Sequence, residues 1–282
     1  MIIGDKNVCL IILNSIQIII KESKMGIKKF IGWAGMLFLG VLTFGACHKD
    51  SYYIDTGLHK AEYKGTVMDY LEQNQYHLFD SLCKVIRLAG MEDIFQNDSI
   101  TFFAPADTCI LSSVFYLNQQ LLLKGKDTIT SLEQLPGSFW KKELSLYIFK
   151  GVHRLKDYPQ IDPLAMQVYG GQYYSSYGGK VMNIGVYFND VNGVKYAGYR
   201  QLMLGYFSGE TPPAFLPYLI PVASSDINPY NGIVHVLQYT QTVMYLDPDS
   251  DETNQIILPV YFGFQPYEFV QDALAAGIDY SK

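Results

Sequence analysis

Apolar residues at helical spacing predict that the first half of the folded region is largely helical. Residues 66–73 begin with a threonine that stands three residues before an aspartate, which is the pattern of a helix capping box. Residues 78–90 predict an amphipathic helix that Gly90 ends, and further helix is expected within residues 132–149. The apolar faces of these two helices are expected to comprise Leu78, Leu82, Val85, Ile86 and Ala89, and Trp140, Leu144 and Ile148.

Short alternating runs bounded by turn residues predict strands in the second half. Residues 101–104 form one short apolar run and residues 233–239 form another. Between them, residues 168–207 are rich in Tyr, Val and Gly, and the pair Asn192 and Gly193 is among the stronger signals for a hairpin turn. A helical first part followed by strands predicts an α+β domain.

The residues before this domain have the pattern of a secretion signal. Lys24, Lys28 and Lys29 give a basic start, and residues 30–46 form an uncharged run that ends in small side chains before Cys47. A cysteine in this position resembles the lipidated cysteine of a bacterial lipoprotein. We therefore expect cleavage before Cys47, lipidation of its side chain, and a location outside the cytoplasm.

Two other interpretations of the N-terminal residues stay open. The apolar run also fits an uncleaved membrane anchor, although a span needs about 20 apolar residues. A shorter apolar run at residues 8–20 suggests that Met25 is the true start and that residues 1–24 are an over-extended reading frame. The expected organisation is a signal segment at 1–46, a lipidated tether at 47–64, a domain at 65–244 and a C-terminal extension at 245–282.

Composition and charge limit the classes of partner. The net charge is −6 and no basic stripe is present, so nucleic acid is not expected as a partner. Hydrophobic residues make up 49% of the chain and aromatic residues 15%, which indicates a packed core rather than disorder. Cys83 and Cys109 have apolar surroundings and are expected to be buried thiols rather than parts of a disulfide scaffold.

Three separated segments together resemble the fasciclin family. The first is the end of an apolar helix, LAGMEDIF at residues 88–95, followed by TFFAPAD at residues 101–107. The second is LSLYIFKGVHRL at residues 144–155, and the third is SDINPYNGIVHVL at residues 225–237. The order and content of these segments agree with the family over roughly residues 65–244.

The resemblance implies a single fasciclin-like α+β domain in which helices pack on a wedge of two small β-sheets. The stretch between the second and third segments is long, which implies an enlarged β-rich insertion that includes residues 196–221. Integrin binding is not expected, because Ile148 follows Tyr147 where adhesive animal members carry Tyr-His. The insertion and the residues after Cys47 are similar to surface lipoproteins of Bacteroidetes, which implies a location at the cell outer membrane.

The motif residues themselves are expected to have structural roles. Pro105 lacks a backbone donor and ends the strand before it. Asp107 is expected to bond nearby backbone amides or to cap the following helix. Asn231 and Gly232 are expected to form a turn with a positive φ at the glycine. His235 is expected to be a hydrogen-bonded structural histidine rather than a metal ligand or a catalytic group.

The sequence contains no motif for a known catalytic or cofactor chemistry. It has no nucleophile elbow, phosphate loop, dinucleotide fingerprint or zinc-protease motif, so no cofactor or metal is expected. The aspartates at 247, 249 and 251 alternate as in a calcium loop, but Glu252 stands where glycine is required, so a solvated acidic linker is expected. A glycosidase-like carboxylate pair stays open, because any two carboxylates can meet in space.

These observations favour a lipid-anchored cell-envelope protein that binds rather than catalyses, as an adhesion or interaction module for glycan or protein partners. One alternative is a glycan-binding accessory lipoprotein of a SusC/SusD-like uptake complex, whose partner is an outer-membrane transporter. Another is an enzyme with an unrecognised carboxylate site. Tyr173, Tyr174 and Tyr177 are the candidate binding residues, because this run among Gly and Ser is expected to be exposed and because tyrosine offers a flat apolar face and a hydroxyl. The alternative for each tyrosine is a strand residue packed on its own sheet.

The first prediction concerns the lipid anchor. In a host that processes lipoproteins, Cys47→Ala is expected to abolish labelling with a radioactive or clickable fatty acid and to leave an uncleaved precursor, because the acylated thiol is lost. The measurement is acyl labelling together with the apparent mass of the protein. Cys9→Ala is the matched control. A Cys47→Ala protein that still labels and matures normally would contradict the assignment.

Overall fold

The computed structural model of the chain describes residues 62–206, 218–246, 255–261 and 264–282. The signal segment 1–46, the lipidation site Cys47, most of the tether and the acidic segment 247–252 lie outside these described residues. Residues 60–282 form one compact unit. None of the helices in the described residues is long and apolar enough to cross a membrane.

Helices dominate the first half of the described chain. They are α1 (Val67–Glu72), α2 (Asp80–Leu88), α3 (Glu92–Asn97), α4 (Asp107–Leu123) and α5 (Gly137–Leu144), with strands β1 (Ile100–Ala104) and β2 (Ile148–Lys150) among and after them. The capping box is confirmed, because the Thr66 hydroxyl accepts the Asp69 N–H and the Asp69 carboxylate accepts the Thr66 N–H at 2.7 Å.

Two apolar positions differ from the helical faces expected for α2 and α5. Leu78 lies before α2 begins and its exposed fraction is 43%, whereas Leu82 and Ile86 are fully buried. Ile148 is buried, but it starts β2 instead of extending α5, which ends at Leu144. In both cases the apolar spacing continues beyond the helix that it predicts.

Strands dominate the second half. They are β3 (Gln160–Ile161), β4 (Gln172–Ser175), β5 (Val181–Phe188), β6 (Arg200–Tyr206), β7 (Tyr218–Ile227), β8 (Gly232–Leu237), β9 (Thr240–Leu246) and β10 (Gln255–Tyr261), and helix α6 (Pro266–Ala276) follows them. The predicted turn between β5 and β6 is confirmed: Asn192 and Gly193 have φ of 50° and 76°, and Val191 pairs with Val194. The α+β class is therefore confirmed.

One curled sheet joins the two small sheets that the fasciclin resemblance implies. Its order is β2-β1-β8-β7-β6-β5-β3, with β4 paired to β5. Strand β1 runs parallel to β8 and β3 runs parallel to β5, and the other pairs in this sheet are antiparallel. The first part of β7 pairs with β6 and its last part pairs with β8, with irregular register between Val222 and Ile227. Strands β9 and β10 form a separate hairpin.

A single large hydrophobic core joins the helices to one face of this sheet. Helix α6 belongs to that core, because Phe269 is fully buried and its ring packs 5.0 Å from the ring of Phe139 and 5.4 Å from that of Phe264. The folded unit also begins before residue 65, since the Tyr63 N–H donates to the Asn228 carbonyl at 3.1 Å. The boundaries at 65 and 244 therefore do not coincide with the limits of the folded unit.

The expected role of Asp107 was wrong about which helix it serves. Asp107 begins α4, and its carboxylate accepts the backbone N–H groups of Ser81 at 2.9 Å and Leu82 at 3.1 Å. These donors lie in the first turn of α2, whose own preceding residue, Phe79, supplies no side-chain cap. Asp107 therefore caps an earlier helix across the fold and fixes the start of α2 against the end of β1, which Pro105 follows.

The expected positive φ at Gly232 was also wrong. The φ of Gly232 is not positive. A β-carbon at this position would lie only 2.3 Å from the carbonyl oxygen of Ile100, the residue that pairs with Gly232 in the parallel strand β1. Asn231 links α1 to α3: its side chain accepts the Val67 N–H at 2.8 Å and donates to the Asp98 carbonyl at 3.0 Å. The Asn-Gly pair thus allows a close approach of strands and helices rather than a left-handed turn.

The two explanations of Gly232 predict different results for asparagine, which tolerates positive φ. Gly232→Asn is expected to destabilise the fold by about 1–3 kcal/mol, because the new side chain collides with β1. Gly193→Asn is the matched control: Gly193 has a positive φ and open space around it, so the change is expected to cost less than about 1 kcal/mol. Urea unfolding measures both. Equal tolerance of asparagine at the two sites would contradict the steric explanation.

Candidate functional site

A cleft with aromatic walls lies between β2 and the turn that joins β4 to β5. Its volume is about 370 Å³, within the range of small-molecule sites. We call it the aromatic cleft, and its lining residues are Phe149, Lys150, His153, Tyr174, Ser175, Ser176, Tyr177 and Gly179.

Backbone hydrogen bonds fix the turn that forms one wall of the aromatic cleft. The Ser176 N–H donates to the Lys180 carbonyl at 2.8 Å and closes the turn between β4 and β5. The Tyr177 N–H then donates to the Ile148 carbonyl at 2.7 Å, and the Gly178 N–H donates to the Ser145 carbonyl at 3.2 Å. These bonds attach the turn to the start of β2, so the positions of Tyr177 and Ser176 depend on the scaffold rather than on a free loop.

A chain of aromatic rings connects the aromatic cleft to the core. The ring of buried Phe103 in β1 lies 5.0 Å from that of His235, and the ring of Tyr158 lies 6.3 Å from that of His235. Tyr158 in turn makes an edge-to-face contact with Tyr174 at 5.4 Å, and the imidazole of His153 lies 6.1 Å from the same ring. Edge-to-face contacts of this kind orient rings as well as burying them. The contacts with Tyr158 and His153 therefore orient the ring of Tyr174.

His235 is fully buried and uses both ring nitrogens. Nδ1 accepts the Asp226 N–H at 3.2 Å, so Nε2 carries the proton and donates it to the His153 carbonyl at 3.0 Å. Burial lowers the pKa of His235 from 6.5 to about 4, and the hydrogen bond to the His153 carbonyl and the charge of Asp226 only partly oppose this effect. The imidazole is neutral at pH 7 and positions the backbone that carries His153.

Two buried hydroxyl groups at the aromatic cleft lack a hydrogen-bond partner among the described residues. One is Ser176 Oγ, on the cleft lining, and the other is Tyr158 OH, on the ring behind Tyr174. Burial raises the pKa of Tyr158 well above its usual range, and the nearby Tyr174 and Asp157 add to this effect. Because buried polar groups are nearly always satisfied in native proteins, a buried water molecule is the expected partner of each hydroxyl.

The charge at the aromatic cleft comes from Lys150. Among the lining residues it is the one lysine or arginine, and none is a carboxylate. The ammonium of Lys150 lies 5.9 Å from the ring centroid of Tyr177. The nearby carboxylates of Asp157 and Asp226 accept backbone N–H groups, from Arg154 at 2.8 Å and from Leu155 at 2.7 Å.

The structure separates the three tyrosines proposed as binding residues. Tyr174 and Tyr177 come together in the aromatic cleft, and both pack partly against the main core. Tyr173 points to the other face of β4 and packs against Ile161. All three are half-buried rather than exposed, so the expectation of an exposed run was wrong. Each tyrosine is half-buried because it packs against a hydrophobic cluster, and strand alternation in β4 directs Tyr173 and Tyr174 to different clusters.

Sequence reasoning missed the other half of the aromatic cleft. Phe149, Lys150 and His153 lie within the second fasciclin-like segment, residues 144–155, which was interpreted only as a fold motif. No local signal shows that this segment faces the β4–β5 turn, since the contact joins residues about 25 positions apart. The cation–aromatic pair of Lys150 and Tyr177 arises only in the folded chain.

A second cavity, of about 550 Å³, lies beside α4 and the start of α6. None of its lining residues carries a charge; they are Leu111, Ser112, Ser113, Phe115, Tyr116, Phe264 and Pro266. Ser113 is already engaged, because its hydroxyl donates to the Cys109 carbonyl and accepts the Phe264 N–H. This cavity therefore offers few polar groups that could orient a specific ligand.

Among the described residues, Glu143 and Asp272 form a pair of carboxyl groups that lies away from the two cavities described above. Glu143 in α5 is 2% exposed, and burial together with the charge of Asp272 in α6 raises its pKa to about 8. Asp272 also pairs with Lys142 at 2.7 Å. Neither carboxyl lines the aromatic cleft or the second cavity, so this pair joins two helices. Within the described residues, no group of three or more His, Cys, Asp or Glu side chains is arranged to hold a metal ion.

Comparison with known proteins gives little independent information. No family model matches the sequence, and no curated protein matches it. Among solved structures, the chain is similar to a FAS1 domain pair from the insect cell adhesion molecule fasciclin I, with 16% sequence identity and a TM-score of 0.39. The match covers 61% of this chain and 49% of that one, so this protein spans about half the length of the solved structure.

The buried imidazole predicts a specific pH dependence of stability. Because the pKa of His235 is lower in the folded chain (about 4) than in the unfolded chain (6.5), its contribution is complete above pH 6.5 and is lost as the pH falls towards 4. His235→Gln lacks this contribution. The variant is expected to be less stable at pH 7, and the difference from wild type should narrow by roughly 3 kcal/mol by pH 4.

Urea unfolding of both proteins at several pH values between 4 and 7 measures this difference. His77→Gln is the matched control, because it makes the same change at an exposed imidazole outside the core. A difference between wild type and His235→Gln that stays constant with pH would contradict a neutral buried imidazole.

Proposed function

We propose that the protein is a non-catalytic, lipid-anchored module of the cell envelope that binds a saccharide in the aromatic cleft. The observation that carries the proposal is the meeting of Tyr174 and Tyr177 with the polar residues His153 and Ser175 in one concave site. The fasciclin-like motifs favour the same general class of function, an adhesion or interaction module.

The chemistry of the aromatic cleft suits a sugar ring. A pyranose has one face of C–H groups that packs on a tyrosine ring and a rim of hydroxyls that need hydrogen-bond partners. Tyr174 and Tyr177 supply the apolar surfaces, while Ser175 and His153 supply polar groups around them. A volume of about 370 Å³ fits one or two sugar residues of a longer chain.

Binding without hydrolysis is the simpler function for this arrangement. Glycosidases place two carboxyl groups on either side of the scissile bond, roughly 5–10 Å apart. No carboxylate is among the lining residues of the aromatic cleft, and the buried pair of Glu143 and Asp272 contributes to helix packing instead. These observations support a binding role over the alternative of an enzyme with an unrecognised carboxylate site.

The anchor and the aromatic cleft together suggest capture of glycans near the outer membrane. A lipidated Cys47 would tie the domain to the membrane through the residues that precede Glu62, the first described residue. The alternative partner, an outer-membrane transporter of a SusC/SusD-like complex, is compatible with the same site. Co-purification of a transporter with the membrane-extracted protein would favour that alternative.

The next prediction separates the two faces of β4. Tyr174→Ala and Tyr177→Ala are each expected to weaken saccharide binding by about tenfold or more, because a stacking ring is removed. Tyr173→Ala is the matched control, since the same change is made one residue away on the other face, and it should leave binding within about twofold. Affinity electrophoresis of detergent-solubilised full-length protein in gels that contain dextran, xylan or polygalacturonate measures the effect.

Melting temperatures of the three variants show whether each change affects only binding. The proposal is supported if the polysaccharide no longer slows the migration of Tyr174→Ala or Tyr177→Ala in the gel and the melting temperature of that variant is unchanged. Equal retardation of all three variants, or loss only in Tyr173→Ala, would remove the aromatic cleft as the binding site. Absence of retardation of the wild type by every polysaccharide would count against saccharide binding itself.

A further inference from the structure

We infer that the saccharide bound by the aromatic cleft is acidic and that its carboxylate or sulfate group pairs with Lys150. This inference rests on the proposed function, because it names the class of ligand for the same site. It starts from one feature of the aromatic cleft that sugar stacking does not explain, namely a lysine at its wall without a counter-ion.

Lys150 has no anionic partner among the described residues. It ends β2, is exposed, and belongs to none of the salt bridges that the described residues form. Its ammonium lies 5.9 Å from the ring centroid of Tyr177. This contact places the charge above an aromatic wall without neutralising it.

A second lysine close to the aromatic cleft shows the contrast. Lys180 closes the β4–β5 turn, but its ammonium pairs with Glu268 in α6 at 2.8 Å and also bonds the hydroxyl of Tyr206. Lys180 therefore links the turn to the C-terminal helix and is committed within the fold. Lys150, on the opposite wall, is the cation that remains available to a ligand.

The surroundings of Lys150 favour an anion rather than a second neutral group. The aromatic cleft has no carboxylate on its lining, and the carboxylates of Asp157 and Asp226 accept backbone N–H groups instead. An anion that pairs with Lys150 therefore does not have to displace a carboxylate of the aromatic cleft.

The net charge of the chain argues against a nonspecific origin for such binding. At −6, the protein as a whole repels polyanions, so affinity for an acidic polymer has to come from a local site. A protein that bound acidic glycans through general charge would need a basic surface, which this sequence lacks. Selective binding of anionic sugars therefore tests Lys150 rather than overall electrostatics.

Pairs of polymers that differ only in charge test the inference. Polygalacturonate is compared with its methyl ester, and dextran sulfate is compared with dextran, so that the carboxylate and the sulfate are tested separately. Affinities of detergent-solubilised full-length protein are measured by isothermal titration calorimetry at about 50 mM and about 500 mM NaCl. The variants are Lys150→Met, which keeps the aliphatic stem, Lys150→Arg, which keeps the charge, and Lys126→Met, which removes an exposed lysine outside the aromatic cleft.

Wild type is expected to bind at least one acidic polymer about fivefold or more tightly than its neutral counterpart. Lys150→Met should remove this preference and the salt dependence while leaving neutral binding within about twofold. Lys150→Arg and Lys126→Met should keep both. The acidic polymer that is preferred identifies the anion as a carboxylate or a sulfate.

The two proposals fail in different ways. Equal affinity for the charged and neutral members of both pairs, or an unchanged preference in Lys150→Met, overturns the role of Lys150 while saccharide binding stands. A preference that Lys126→Met also abolishes points to general charge and overturns it as well. Absence of binding to all four polymers overturns both the acidic ligand and the proposed function.

Discussion

The two hydrogen bonds of His235 are the interaction on which the surroundings of the aromatic cleft depend. One joins the imidazole to the backbone of Asp226 in β7, and the other joins it to the carbonyl of His153 after β2. A buried imidazole that lost either partner would leave an unsatisfied polar group in the core, at a cost of about 1–3 kcal/mol. These two hydrogen bonds therefore connect three separated parts of the chain. The ring of Tyr158 packs on the imidazole of His235, and the ring of Tyr174 packs on that of Tyr158.

The irregular part of β7 makes this arrangement possible. Asp226 has a φ of 62°, which turns its N–H towards His235 while its carboxylate accepts the Leu155 N–H. A regular strand could not both pair with β8 and direct the Asp226 N–H to His235. The register shifts between Val222 and Ile227 therefore position this N–H group. The same strand carries the sheet from β6 to β8, which unites the fasciclin-like segments with the β-rich insertion.

The sequence predicts local features well and contacts between distant segments poorly. The capping box of α1 and the Asn192–Gly193 turn depend on residues a few positions apart, and both were predicted. The partners of Asp107 and the close approach at Gly232 depend on residues far along the chain, and both were misinterpreted as local effects. Helix α6 was placed outside the domain for the same reason, because its burial depends on α4 and α5.

The candidate site shows the same division. Composition drew attention to the three tyrosines, but it could not show that Tyr173 and Tyr174 lie on opposite faces of β4 or that Tyr177 lies in the turn after it. Lys150 and His153 were missed, since a lysine without a counter-ion is visible only after every nearby carboxylate has been given a partner. The proposed function therefore depends on groups whose environments are set by the tertiary structure.

Chemical-shift mapping tests the central claim, that the aromatic cleft is the ligand site, most directly. Isotope-labelled protein would be titrated with a short galacturonate oligosaccharide while the backbone amide shifts are followed. The account predicts that the largest changes fall on Lys150, His153 and residues 174–180, with little change at Tyr187 and Met203 on the opposite face. Changes centred on that face, or beside Leu111 and Phe115 at the second cavity, would contradict it.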